Sequence, residues 1–289
     1  MQVTPTITQF CHNVWQLEST IQLVQQGSEH LHVVTEVTPF HPVSHIWPDH
    51  PADKGTLNDH VVLDCQVGAV ENATGELYVG QAIPVKRDEE GWSFVVVHCL
   101  NKEASSLTVG EQVTLNVDKA YQLSLSRGHS AGHLAYLALN KVLTKEGYWR
   151  KDADRKDPHG NYDFNSYAQV TSFVTPDKCL DTYRLGKTLR KRGLNSGDML
   201  EQLPAIEQLT NQQLVAWLSI DSPIEVDCHG EKLTDSRYWS CDLNEGQKVV
   251  LPCGGTHATS LSDYQSIEVR LVQIDANNIE MHTDVKAAQ

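Results

Sequence analysis

The segment RGHSAGHLAYLAL, Arg127 to Leu139, places His129 and His133 four positions apart at the head of an apolar run. On a helix, residues so spaced share a face about 6 Å apart, close enough for two imidazoles to reach one metal ion. The spacing alone is weak evidence in a chain with 14 histidines. His41 and His45 repeat it in a proline-broken stretch where no helix is expected. A second segment, PCGGTHA from Pro252 to Ala258, offers a thiolate from Cys253 and an imidazole from His257. Its glycines let the backbone turn tightly enough for both side chains to converge on one ion. In isolation, such a Cys and His are more often a buried thiol and a surface imidazole on a loop.

Taken together, HSAGH at 129–133 and PCGGTH at 252–257 are a much rarer combination. They resemble the paired signature, H-[ST]-A-x-H and C-G-G-T-H, of the editing domain shared by alanyl-tRNA synthetases and the free-standing AlaX-type alanyl-tRNA editing proteins. RYWS at 237–240 sits where that family has an Arg-led strand before its Cys motif. The likeness covers roughly residues 120 to 270 as the catalytic domain. It extends more loosely to the first 119 residues, which resemble the N-terminal barrel of the longer AlaX proteins.

The resemblance implies a Zn²⁺ held by His129, His133, Cys253 and His257. It also implies a zinc-dependent hydrolase, acting in trans, that cleaves the ester joining a wrong amino acid, serine or glycine, to the terminal ribose of tRNA(Ala). A mixed nitrogen and sulfur set suits tetrahedral zinc better than Mg²⁺ or Ca²⁺. A metal there polarises an ester carbonyl or positions the amino acid, and it lowers the pKa of a bound water toward about 7. Four protein ligands leave no open position, and Cys253 is the candidate to loosen.

Ser130 stands at the family's Ser or Thr position, where a hydroxyl meets the substrate's polar side chain; as a serine near a helix start it equally suits a bond to backbone. Thr256 is expected to face the substrate or to brace its turn. Arg127 is expected to meet a phosphate or to play a structural part. One departure matters. The longer AlaX proteins carry a motif of the form F-[HY]-P-x-G-G-G-Q-P-x-D-x-G, of which Phe40-His41-Pro42 and Asp53-Lys54-Gly55 keep the two ends. The middle reads VSHIWPDHPA, with His45, Trp47 and His50 in place of the glycines and the Gln. That keeps open a second class of function on the same scaffold: a metal-binding RNA module, or a hydrolase of another aminoacyl ester or small amide.

Composition narrows the partners. The formal net charge of −14 argues against nucleic acid over the surface at large, so a tRNA partner needs a local basic patch. The run RLGKTLRKRG supplies one, with Arg184, Lys187, Arg190, Lys191 and Arg192 and no acid, although a charge run is often only a solvated face. WRKDADRK at 149–156 adds mixed charge nearby in sequence. DNA is not an expected partner. Nor is a membrane, because no apolar run approaches the roughly 18 residues a span requires. The N-terminus MQVTPTITQF lacks a secretory pattern, and the seven scattered cysteines do not form a disulfide framework, so a cytoplasmic location with free thiols is expected.

These residues need elements to carry them. A chain of 289 residues and 32.3 kDa, 40% hydrophobic and 21% charged, has the ordinary makeup of a folded protein and the length for two domains. Over residues 1–119, HLHVVTEVTPF, NDHVVLDCQVGAV, ELYVGQAIPVKR, GWSFVVVHCL and EQVTLNVD read as strands at hairpin spacing, a small β-barrel-like domain. Over 120–289 the pattern is mixed. SLSRGHSAGHLAYLALNKVLTKEG is helical, with Ser124 or Ser126 as cap and Gly147 at its end. LPAIEQLTNQQLVAWLSI reads as a helix capped by Thr210, IEVDCHG as a strand, and the tail as a hairpin turning at Ala276-Asn277-Asn278. The whole is α+β.

Overall fold

The computed structural model describes residues 2–104 and 106–289. It is a mixed α+β structure of two compact units. The first comprises Met1–Leu123 together with Asp227–Arg237 and Cys253–Thr256, and the second comprises Ser124–Val226, Tyr238–Pro252 and His257–Gln289. The chain is therefore not cut once between them, since two short later segments return to the first unit.

The first unit is a six-stranded antiparallel barrel. Short β1 (Ile7–Thr8) leads into β2 (Gln16–Gln26), β3 (Leu31–Thr35) and the two-residue β4 (Val37–Thr38). After these come β5 (Gly55–Leu57), β6 (His60–Glu71), β7 (Leu77–Val79), β8 (Trp92–Leu100) and β9 (Gln112–Val117). The strand order is β5-β9-β2-β3-β8-β6, with β7 added beside β6, and a β5–β6 pairing closes the ring. Closure depends on strands that change direction. Gln16–Thr20 of β2 pairs with β9, the register then slips between Ile21 and Leu23, and Leu23–Gln26 pairs with β3. Such an irregularity bends a strand and tightens its twist. Inward positions supply Ile21, Val33, Leu57, Cys65, Val96 and Leu115, all buried, to one core cluster. Within the barrel His98 is fully buried, its Nδ1–H donating to the Val33 carbonyl and its Nε2 accepting from Thr38 Oγ1 at 2.8 Å.

A 27-residue helix, α1 (Lys119–Lys145), follows. Its cap differs from the serines expected: Ser124 and Ser126 lie inside the helix, and the Asp118 carboxylate accepts the Tyr121 N–H at 3.0 Å. An acid satisfies the orphan donors of the first turn and complements the helix dipole there. Gly147, at φ 75°, ends the helix in the left-handed conformation glycine adopts without penalty.

In the second unit a four-stranded antiparallel sheet runs in the order β10-β11-β16-β15. Its strands are β10 (Gln169–Thr175), β11 (Lys178–Arg184), β15 (Tyr264–Gln273) and β16 (Asn278–Ala287), the last two forming the tail hairpin. The short α2 (Phe164–Ala168) runs directly into β10, and between the two halves of the sheet lie α3 (Lys187–Arg192), α4 (Ser196–Glu201) and α5 (Leu203–Leu218). The strands β12 (Ile224–Cys228), β13 (Arg237–Cys241) and β14 (Val249–Pro252) form a small sheet. Thr210 does not cap α5. The helix opens seven residues earlier with Pro204 in its first turn, and Thr210 Oγ1 donates back to the Ile206 carbonyl at 2.8 Å. Along the outer edge of β15, Asn211 of α5 accepts the Val269 N–H and donates to the Val269 carbonyl, both at 2.7 Å, while Glu207 accepts the Leu271 N–H.

The turn joining β10 and β11 sets the position of α1 in this unit. Asp177, at φ 57° in that turn, donates its N–H to the Ser124 carbonyl and receives both arms of the Arg127 guanidinium, at 2.6 and 3.0 Å. Gly128 and Gly132 make the approach possible. A Cβ on Gly128 would stand 2.6 Å from the Lys178 carbonyl oxygen, and one on Gly132 would stand 2.9 Å from Cys179 Sγ. Glycine inside a helix ordinarily costs about 1 kcal/mol relative to alanine, and here the missing side chain is what the packing requires.

Gly128→Ala is therefore expected to destabilise the protein by about 1–3 kcal/mol, the cost of overpacking against backbone, instead of stabilising it as in an exposed helix. Urea unfolding of the two proteins decides the sign. A stabilised variant would mean that the hairpin does not bear on α1.

Candidate metal centre

Residues four apart on α1, His129 and His133 bring their ring centroids to 4.9 Å. His257 stacks over His129 at 4.3 Å and lies 5.3 Å from His133. With Cys253 the three imidazoles form a group whose ligand atoms all lie within 4.8 Å of one another. Such a group can hold a metal ion. Three further observations bear on the fit. The Nε2 of His133 is buried with no hydrogen-bond partner, an arrangement that costs free energy unless a ligand completes it. Burial holds the His133 imidazole down to about 4, so the ring is neutral and its lone pair is available. Burial also pushes the Cys253 thiol up to about 12, and a bound cation is what would reverse that preference.

Ser130 adjoins His129 but is fully buried, and the protons around it can be placed one by one. A carbonyl only accepts, so at the 3.0 Å contact Tyr264 Oη–H donates to the Arg127 carbonyl. Ser130 and Tyr264 also hydrogen-bond; burial pushes the Tyr264 phenol upward and this bond opposes the rise, as a donation from Ser130 Oγ–H does. Having given its proton away, Ser130 Oγ accepts the Ala258 N–H at 3.2 Å and faces His257 Nδ1 at 3.0 Å. The bond to His257 therefore runs from Nδ1–H to Ser130, which leaves the Nε2 lone pair for a metal. Of the two readings the sequence left open for Ser130, a substrate contact or a bond to backbone, the structure shows a backbone bond, to the Ala258 N–H. The serine hydroxyl is committed inside the protein, where it orients a candidate ligand.

Arg127, expected to meet a phosphate or to play a structural part, has its guanidinium fork engaged by Asp177. Thr256 keeps a place beside His257 in sequence, and its hydroxyl lies 3.2 Å from His50 Nε2. His50 Nδ1 sits 2.9 Å from the Pro51 carbonyl and must carry a proton, so Nε2 is the acceptor and Thr256 Oγ1–H the donor. Burial holds His50 down to about 4, neutral as this arrangement needs. His50 belongs to the segment that departs from the family's glycine-rich motif, and no local pattern marks it in the sequence. The retained ends of that motif serve the first unit itself. Phe40 is fully buried in the barrel core, and Asp53 accepts the His41 N–H at 2.7 Å and the Gln122 amide at 2.6 Å. His41 packs edge-on against His50, at 4.4 Å, and not with His45 as a spacing-based pair.

The basic run falls on the end of β11 and on α3. Arg184, Lys187, Arg190, Lys191 and Arg192 are all exposed. Arg192 pairs with Asp154 at 2.6 Å, and Arg190 lines a cavity of about 420 Å³ with Arg150, Lys151 and Asn195. Among the described residues no helix is long and apolar enough to cross a membrane.

No family model matches the chain. It is 21% identical over 251 residues to the alanine–tRNA ligase of Methanosarcina acetivorans, covering 81% of this chain and 24% of the ligase. Against the alanine–tRNA ligase of Streptococcus agalactiae the figures are 22% over 264 residues, covering 89% and 25%. A 49-residue stretch is 45% identical to the alanine–tRNA ligase of Pseudothermotoga lettingae, covering 17% of this chain and 6% of that one. The chain thus spans at most about a quarter of the length of these curated relatives. The similarity covers most of this chain in the longer alignments and agrees with the resemblance carried by HSAGH and PCGGTH: over most of its length the chain is similar to a part of alanine–tRNA ligases.

Proposed function

We propose that the chain is a zinc-dependent hydrolase that acts in trans, in the cytoplasm, to deacylate tRNA(Ala) mischarged with serine or glycine. The observation that carries this reading is the convergence of His129, His133, Cys253 and His257 into one donor group, in a chain similar to alanine–tRNA ligases. Zinc in that group would supply Lewis-acid polarisation of the ester carbonyl. The protein's own residues do the rest. Ser130, itself set by Tyr264, fixes the tautomer of His257. Thr256, whose hydroxyl lies 3.2 Å from His50 Nε2, is the hydroxyl this reading sets against a seryl side chain. Alanine has no such group. A hydrogen bond offered to one substrate and left unmade by the other discriminates better than an apolar pocket, which separates such a pair by only about 100-fold. The exposed cations of α3 are the phosphate contacts of this reading. The altered His45–His50 segment favours one second reading, a hydrolase of another aminoacyl ester on the same scaffold.

The purified protein is expected to contain stoichiometric zinc by elemental analysis, lost in His129→Ala and His133→Ala. In Ser130→Ala the metal should be retained but bound about 10- to 100-fold more weakly, the usual cost of losing a group that orients a ligand. Absence of zinc from the unmodified protein would end the proposal.

Deacylation of seryl-, glycyl- and alanyl-tRNA(Ala) tests the reaction itself. Seryl- and glycyl-tRNA are expected to be cleaved and alanyl-tRNA spared. Thr256→Val should reduce the seryl-to-alanyl rate ratio by about tenfold with zinc content unchanged. An unchanged ratio would place recognition elsewhere.

Charge reversal at Arg190, Lys191 and Arg192 is expected to weaken tRNA binding by about tenfold or more and to flatten its salt dependence, without altering zinc content. Binding that keeps its affinity and salt slope would identify the run as a solvated face.

A further inference from the structure

Two cysteines outside the metal centre face each other in the first unit. Ile7 forms an antiparallel bridge with Lys232, and the Thr8 N–H donates to the Glu231 carbonyl at 2.8 Å. Beyond this pairing Cys11 lies in a 3-10 turn, Phe10–His12, and Cys228 ends β12. The two thiols hydrogen-bond, and both residues are partly exposed. Arg237 stands beside them, held by donation to Thr8 Oγ1 at 2.6 Å and to the Lys232 carbonyl at 2.9 Å. Cys11 Sγ also lies 4.0 Å from the carbonyl of Gly255, in the loop that carries Cys253 and Thr256.

The proton of this pair has a defined home. The hydrogen bond to Cys228, with burial second, pushes the Cys11 thiol well above the usual range. The same bond brings Cys228 down to about 6 against the opposing effect of burial, with help from the Arg237 guanidinium and His12. Cys228 is thus the more acidic thiol of the pair and Cys11 the less acidic. A thiolate with a cation and a second thiol beside it is what a peroxide-reactive site requires. The other thiols differ: Cys65, Cys99 and Cys241 are buried, and burial pushes each of them upward.

We propose that Cys228 and Cys11 form a peroxide-reactive dithiol, with Cys228 the attacking and Cys11 the resolving residue. The Cys228 sulfur attacks one oxygen of hydrogen peroxide, an S–O bond forms, the O–O bond breaks, and the departing hydroxide takes up a proton to become water. The Cys11 sulfur then attacks the Cys228 sulfenic acid, the S–S bond forms as the S–O bond breaks, and the proton shed by Cys11 leaves with the hydroxide as a second water. The two thiols are oxidised by two electrons and the peroxide is reduced to two waters.

Treating the purified full-length chain with dilute hydrogen peroxide and mapping it by mass spectrometry without reduction tests this. The expected result is a loss of two hydrogens per chain, a crosslinked peptide pair containing Cys11 and Cys228, and reversal by dithiothreitol. In Cys11→Ser, oxidation should stop at a sulfenic acid on Cys228, trapped by dimedone. In Cys228→Ser, no crosslink to Cys11 should form. Crosslinks that join other cysteines, or no crosslink in the unmodified protein, overturn the proposal. This readout does not involve aminoacyl ester cleavage, so its failure leaves the hydrolase reading untouched and the reverse also holds.

Discussion

Everything the candidate metal centre does depends on how closely α1 lies against the turn between β10 and β11. Gly128 and Gly132 put bare backbone on one helix face, and the Lys178 backbone and Cys179 fill the space their side chains would take. His129 and His133 follow each glycine by one residue, so the face that carries the imidazoles is fixed by the face that packs. Arg127 adds the polar half of the same contact through its two bonds to Asp177. The pattern R-G-H-x-x-G-H thus encodes a docking surface and a ligand pair in about two turns of helix, and the helix cannot rotate to move one without losing the other.

Around that helix the hydrogen bonds have directions, and the directions matter more than the distances. Two backbone carbonyls, of Arg127 and Pro51, act as fixed acceptors from which the rest follows. The first leads through Tyr264 and Ser130 to His257, whose Nδ1–H is the donor. The second fixes the tautomer of His50 and makes Thr256 a donor toward it. Each chain ends at a residue of the CGGTH segment. Buried polar groups satisfied in this way keep a site in one state before any ligand arrives.

Much of this was legible in the sequence where the signal is local. HSAGH and CGGTH are short strings, and the barrel strands betray themselves by alternation in segments such as NDHVVLDCQVGAV and EQVTLNVD. The strand β2 carried little signal, because QLESTIQLVQQ alternates around polar residues and changes partner midway. The caps of α1 and α5 were misplaced because hydroxyls inside a helix look like hydroxyls at its start; Asp118 and Pro204 had the better claim. The part played by Ser130 could not be read, since its partners Tyr264 and His257 lie more than a hundred residues along the chain. His50 and the Cys11–Cys228 register are long-range for the same reason. Nothing in a neighbouring sequence window reports which thiol faces which.

The way α5 closes off β15 has a consequence for assembly. Asn211 offers Val269 an amide that mimics a neighbouring strand, and Glu207 takes the next N–H, so the backbone along that border has its partners already. The opposite border of the four-stranded sheet is β10, where Val170 and Phe173 are exposed. The sheet is therefore asymmetric with respect to growth. An extended segment of another polypeptide would meet exposed apolar side chains along β10, and along β15 a backbone whose Val269 and Leu271 groups are already engaged, so β10 is the border better suited to strand addition.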